Sequence, residues 1–188
     1  DFKDLHPSPF GQEIYFQTIK TLLKNAAGQY RNESLVKSIL PAVQNKGYYG
    51  SGRYVSVDKA TALKGFSVTP NWQPNDKAET RARFVHVPVL EANQPGASFS
   101  FTFTGNAAGI AIVAGPDAGM IKYSVDGKPD KVMDLYTQWS GGLHLPWYLV
   151  LADGLPKGKH ILKVQITAQK NKDSKGNACR IVYFLANE

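Results

Sequence analysis

Residues 98–114 read SFSFTFTGNAAGIAIVA. Phe99, Phe101 and Phe103 alternate with Ser98, Ser100, Thr102 and Thr104, the period of two that a half-buried β-strand imposes. Gly105-Asn106 then supplies a turn into a second strand over Gly109–Ala114. Gly115-Pro116-Asp117 turns again into Met120–Val125, and Asp126-Gly127 is a strong hairpin signal. Further strands are expected near Val132–Leu135, Tyr148–Leu151, His160–Ala168 and Ala178–Leu185. Upstream, strands are expected near Arg53–Val57 and Phe66–Val68. From Arg81 onward strand follows strand, with Phe84, His86 and Pro88 alternating against Val85, Val87 and Val89. Roughly ten short strands between Gly/Pro turns predict a mainly β chain, a jelly-roll-like β-sandwich. No βαβ rhythm occurs, so this part is not a parallel-sheet domain.

The first 28 residues carry a different pattern. Ser8 is placed to cap a helix that starts at Pro9, whose missing amide would be orphaned there anyway. Ile14, Tyr15, Ile19, Leu22 and Leu23 recur at helical spacing, and Gly28 marks a stop. Such a helix cannot bury its apolar face alone. Ser34–Leu40 has room for one or two more helical turns before Pro41. The expected organisation is a terminal block over 1–28, a linker over 29–50 and the sandwich over 51–188.

Composition narrows the function classes. Hydrophobic residues make up 43% of the chain, enough for a core. The net charge of +7 comes from 22 basic and 15 acidic residues without an arginine cluster, so nucleic acid is not an expected partner. Cys179 stands alone, which excludes a disulfide framework and predicts a buried, inert thiol. No run of about 18 apolar residues predicts a membrane span. Asp117, Asp126, Asp130 and Asp134 fall at turns and strand ends without the density of a calcium loop, and His86, His144 and His160 lack metal-ligand spacing. No metal or other cofactor is expected.

Two groups of residues are candidates for chemistry. His6 follows Asp4 by two positions and precedes a Pro-Ser-Pro turn. A histidine oriented by a carboxylate is the general base that a nucleophilic serine needs, and a capping or surface histidine has the same local sequence. The second group is Trp139, His144, Trp147 and Tyr148, within ten residues that also hold two glycines. Exposed rings there would stack on sugar faces with His144 adding a hydrogen bond, while a packed loop or interdomain contact would use the same residues for apolar burial. His160 leads from a tight turn into a strand and reads as structural. Residues 171–177 read as a solvated loop, with Asn177 and Arg180 at the end of the sandwich where ligands often sit.

The stretch DLHPSPFGQEIYFQTI (4–19) resembles the last block of SGNH/GDSL hydrolases, esterases and lipases with a flavodoxin-like α/β fold. His6-Pro7 and Gly11 match that block. The resemblance implies that His6 is a general base and that the first 28 residues are a remnant of an α/β hydrolase domain. The family's acid stands three residues before the histidine, where this chain has Lys3; Asp4, Asp1 or an Asp outside the chain would serve instead. No Gly-Asp-Ser sequence occurs in these residues, so the nucleophile is expected in a preceding catalytic domain and the 188 residues alone are expected to be inactive. AGPDAGMIKYSVDGK (114–128) and WSGGLHLPWYLVLADGLPKGKHILKVQI (139–166) more loosely resemble the sandwich that accompanies this domain in bacterial esterases directed at glycans. That resemblance implies carbohydrate as a partner and a periplasmic or secreted location. A non-catalytic module that binds glycan or buttresses the neighbouring enzyme is the alternative, and an interaction domain without a carbohydrate role is a third.

Overall fold

The computed structural model describes residues 6–29 and 48–188. The expected helical turns at 34–40 and the acid Asp4 lie outside them. The chain divides into two compact units, Asp1–Gln44 and Asn45–Glu188.

Among the described residues of the first unit a helix, α1, runs over Pro9–Gln29. Its start is the expected one: the amide of Gly11 donates to Ser8 Oγ at 3.3 Å, and the amide of Gln12 donates to the Ser8 carbonyl at 2.9 Å. Gly28, the expected stop, falls in its last described turn. Phe10, Ile14, Tyr15, Phe16, Ile19, Leu22 and Leu23 are all exposed on it, an apolar girdle too broad for a solvent-facing helix.

The second unit is a sandwich of two sheets, as the alternating strands predict. In chain order the strands are β1 (Gly52–Ser56), β2 (Ala60–Lys64), β3 (Ser67–Thr69), β4 (Glu79–Thr80), β5 (Val89–Ala92), β6 (Ser98–Gly105) and β7 (Ala107–Ala114). They continue as β8 (Met120–Val125), β9 (Lys131–Asp134), β10 (Leu143–Ala152), β11 (Gly158–Ile166) and β12 (Cys179–Asn187). The larger sheet has the order β3-β5-β12-β7-β10-β4, with β1 also paired to β12. The smaller has the order β2-β6-β11-β8-β9. All pairs are antiparallel except β10 with β4.

Between the sheets lies one core. Phe99, Phe101 and Phe103 of β6 meet Ile110 and Ile112 of β7, Leu162 and Val164 of β11, and Ile181 and Phe184 of β12. The register of β12 slips between Ile181 and Tyr183. This bulge lets Ile181 and Phe184, three apart, both face inward, while Val182 and Tyr183 both join the outer side. Cys179 is fully buried here, and burial pushes its thiol up to about 12.

The segment 81–88 departs from its expected strand. Only Val89–Ala92 pairs; residues 82–87 form turns and bends. Arg83 and His86 take positive φ of 88° and 60°, conformations that break a strand, and Pro88 has no amide to donate. Residues 171–177 also differ from a simple solvated loop. Ser174 is buried and donates to the Ala118 carbonyl at 2.7 Å, and Asn171 donates to Asp134 at 2.7 Å.

The predicted Asp126-Gly127 turn is present, with φ of 54° and 70° and the Lys128 amide donating to the Val125 carbonyl at 3.0 Å. It also anchors His160. Nδ1 donates to Asp126 at 2.6 Å and Nε2 to the Pro156 carbonyl at 2.8 Å. Both partners are acceptors, so the geometry calls for the doubly protonated ring. The hydrogen bond to Asp126, then that to Pro156, raises the pKa of His160, and the same contact with His160 lowers that of Asp126. The histidine's contribution is therefore complete below the ordinary histidine pKa and is lost as pH rises through the raised one; the aspartate's is lost only in acid. Urea midpoints should fall as pH rises above about 6.5, by the equivalent of about 1 kcal/mol or less because water screens the half-exposed Asp126. Asp126→Asn keeps a residue that tolerates positive φ and should flatten that decline; an unchanged pH profile would show that the pair carries no linkage.

Candidate functional site

The outer face of the larger sheet is where the sequence leaves something over. Strand β7 is buried along its whole length, because residues 70–88 fold across part of its outer side. The Trp72 amide donates to the Val87 carbonyl at 3.1 Å and the His86 amide to the Trp72 carbonyl at 2.7 Å. This closed flap lays Trp72 and Phe84 on Ala111, Val113 and Val182. Two concave features flank it.

The first is a polar cleft of about 510 Å³, lined by Thr69, Trp72, Glu91, His144 and Arg180 among others. Arg180 lies in β12 between inward-facing neighbours, so strand alternation sends it outward. Its guanidinium donates through Nη1 and Nη2 to the two oxygens of Asp117, both at 2.7 Å, the fork-on-carboxylate geometry that arginine favours. Its Nε lies 3.4 Å from Glu91, and its Cζ 5.4 Å from the centroid of the Trp72 ring, within cation–π range. Burial opposes both ions of the Arg180–Asp117 pair, and their mutual hydrogen bonds overcome it. Asp117 titrates below the ordinary carboxylate range and Arg180 above its ordinary value. Thr69 donates its hydroxyl to Glu91 at 2.5 Å.

His144 closes the other side of the cleft. It is only 2% exposed, and its ring stands edge-on to Trp72 at 5.6 Å. Nε2 donates to both oxygens of Asp76, at 3.1 and 3.0 Å. Burial raises the pKa of Asp76, and the hydrogen bonds from His144 and the Ala78 amide bring it below the ordinary range. The parallel pairing of β4 with β10 brings the Asp76 loop beside His144. Nδ1 has no hydrogen-bond partner and faces Gly115, where a methyl group would stand 2.2 Å away. Gly115 reads in sequence as a turn residue; in the structure it also makes room for the imidazole.

The second feature is an apolar trough of about 360 Å³ lined by Tyr49, Tyr54, Gly109, Tyr148, Val150 and Leu185, among others. It begins where the flap ends. Phe84 meets Tyr148 edge-on at 5.9 Å, and Tyr54 lies 4.9 Å from Tyr183 and 6.4 Å from Tyr148. Tyr49, Tyr54 and Tyr148 are 47%, 59% and 49% exposed, so about half of each side chain remains open to a ligand.

The four aromatic-segment residues are not one cluster. Strand alternation parts them: His144 and Tyr148 share the outer face, one in the cleft and one in the trough, while Trp147 pairs with Ile112 on the opposite side. Trp139 is exposed in a turn before β10. His6 is exposed at a bend just before α1. Trp72, Asp76, Glu91 and Asp117 belong to the polar cleft and its support without a local sequence signal that marks them. Among the described residues no group of three or more His, Cys, Asp or Glu is disposed to hold a metal ion, and no helix is long and apolar enough to cross a membrane.

No family model and no curated protein matches the sequence. Among solved structures, the chain is similar to a two-domain esterase active on acetylated mannans, crystallised with mannopentaose. The identity is 15% and the TM-score 0.70, over 100% of this chain and 48% of that one. A second structure of such an esterase gives 16% and 0.70, over 100% and 49%. The chain is also similar to part of a Paenibacillus xanthan lyase, at 15% identity and a TM-score of 0.51 over 72% of this chain and 13% of the lyase. These likenesses show the fold, and this chain spans about half the length of the esterase it matches.

Proposed function

We propose that this chain is the C-terminal part of a serine ester hydrolase of the SGNH/GDSL type that removes acetyl or similar acyl groups from a polysaccharide, and that its sandwich holds the glycan. The observation that carries this reading is the likeness to the mannan esterase, which runs over the whole chain, helix and sandwich together. The His6-Pro7 block before a capped helix supports it from the sequence side. On this reading residues 1–28 belong to the catalytic domain, 29–50 link it and 51–188 form the accessory sandwich. A serine from the preceding domain attacks the ester carbonyl. His6 takes its proton and returns it to the leaving sugar hydroxyl, with Asp4 as the orienting acid. The site of action is outside the cytoplasm, in the periplasm or medium.

Glycan contact falls to the tyrosine trough. Its half-exposed tyrosine rings suit the C–H faces of a pyranose chain, and its Gly/Ala floor lets the chain come close. Trp139 and Trp147 offer further partly exposed rings, and His144 borders the neighbouring cleft. Covering one ring face removes on the order of 60 Å² of apolar surface, about 1.5 kcal/mol or roughly tenfold in affinity. Calorimetric titration of the 188-residue protein with mannopentaose should therefore weaken about tenfold in Tyr54→Ala and again in Tyr148→Ala. In parallel, p-nitrophenyl acetate should be hydrolysed by the longer gene product and not by the 188 residues. Hydrolysis without any sugar binding would leave the sandwich as a buttress; binding without hydrolysis in either form would make it a binding module of a different enzyme.

A further inference from the structure

We infer that the polar cleft lined by Trp72 and Arg180 is a second binding site, separate from the tyrosine trough, and that it takes a neutral sugar through a vicinal diol. Its volume of about 510 Å³ falls in the range of about 300–1,000 Å³ found for small-ligand pockets. Unlike the trough, it is walled by hydrogen-bonding groups held in place before any ligand arrives. Arg180 is fixed by the two-point contact with Asp117 and by the Trp72 ring beneath it. Glu91 is fixed by the Thr69 hydroxyl. Trp72 is braced by His144, which Asp76 clamps. Asn71, Asn75 and Asn93 add amides that both donate and accept.

This set matches a diol in kind. Each sugar hydroxyl donates one proton and accepts others. Glu91 is an acceptor only, while Arg180 has one further N–H on each Nη beyond the two given to Asp117. An acceptor and donors side by side serve two adjacent hydroxyls at once, and the surrounding amides are indifferent to direction. Ordered partners matter because the ligand then bears little of the cost of arranging them.

The charge balance selects the class of sugar. Arg180 is the one cation of the network, set against the carboxylates of Asp117, Glu91 and Asp76. One positive and three negative charges leave −2. No lysine lines the cleft. A uronate or other acidic sugar would bring a carboxylate to a guanidinium already neutralised and into a negative field, whereas a neutral pyranose meets no such penalty.

The test is a ¹H–¹⁵N NMR titration of the 188-residue protein with mannobiose, cellobiose and digalacturonate. The expected result is a shift of the Trp72 indole N–H and the Arg180 Nε–H on adding a neutral disaccharide, and none with digalacturonate at equal concentration and ionic strength. Glu91→Gln retains an acceptor for Thr69 and should weaken the neutral sugar about tenfold. Tyr54→Ala should leave the Trp72 response unchanged, which separates this cleft from the trough. Three results overturn the inference: digalacturonate binding as well as or better than the neutral sugars, neutral sugars moving trough signals only, or no response of Trp72 and Arg180 to any probe. The esterase reading is untouched by the first two, since it rests on turnover by the longer protein.

Discussion

In the longer protein proposed above, His6→Ala should lower turnover of p-nitrophenyl acetate by about 10²–10⁴-fold, the range that general acid–base catalysis contributes, while mannopentaose binding stays as it was. A serine hydroxyl is a poor nucleophile at neutral pH unless a base takes its proton as the carbonyl is attacked. His6 is the only histidine in the first 85 residues. It stands at an exposed bend whose chain direction is set by Pro7 and by the Ser8 cap on α1, a fixed entry suited to a residue that must present one ring nitrogen outward. Asp4→Asn in the same protein separates the candidate acids. A loss approaching that of His6→Ala assigns the orienting role to Asp4, and a small loss moves it to Asp1 or to a residue upstream. Full turnover in His6→Ala would remove the SGNH reading, because that reading assigns the base to a histidine and the terminal block holds no other. The sugar titration run on the same sample shows whether the fold survived, since the sandwich supplies that signal.

The parts of this molecule that sequence disclosed are those written in local period. The Phe-Ser-Phe-Thr alternation of β6 pairs with β11 and supplies the core as expected, and the Asp126-Gly127 turn holds the conformation its residues favour. Ser8 caps the helix because its side chain needs only the amide three residues on. The failures are equally physical. Residues 84–89 alternate as a strand would, yet their apolar residues serve to cover a second sheet face. A flap and a strand bury the same side chains, and periodicity cannot distinguish them. Strand β10 begins at Leu143, ahead of the expected Tyr148, because it carries Pro146, a residue that locally argues against a strand. The cleft was the least legible feature. Its residues come from positions 69–76, 91, 117, 144 and 180, and each alone looks like a turn acid, a strand-end glutamate or a core tryptophan. Arg180 was noticed only as a residue at the end of the sandwich; its meaning depends on Asp117, 63 positions away. Trp147 and Tyr148 show the converse error, adjacency in sequence taken for adjacency in space, which a pleated strand forbids.

Phe184→Ala is expected to destabilise the sandwich by about 3–5 kcal/mol, a large share of the roughly 5–15 kcal/mol that holds a domain of this kind. Phe184 is wholly buried and stacks on Phe101 with ring centroids 4.1 Å apart and planes within 12°. Phe101 belongs to the smaller sheet and Phe184 to the larger, so this contact runs between the two layers. Phe99, 5.6 Å from Phe184 and edge-on to Phe66, extends the joint. Truncation removes the transfer energy of a phenyl ring and leaves a cavity between layers that are each stiffened by their own ladders, so little collapse can refill it. Phe184→Leu keeps most of the volume and should cost about 1.5 kcal/mol or less. The larger loss should reach the binding features as well. The bulge after Ile181 is what allows Phe184 to point inward while Arg180 and Leu185 of the same strand point to the cleft and the trough. With the ring gone, the bulge loses the contact that fixes its phase. In urea unfolding, Phe184→Ala should therefore show a strongly lowered midpoint. At denaturant concentrations below that midpoint it should also give broadened Trp72 and Arg180 signals, while Phe184→Leu keeps them sharp. A midpoint shift worth less than about 1 kcal/mol in the alanine variant would mean that the sheets are joined elsewhere and that the phase of β12 is set by its ladder alone.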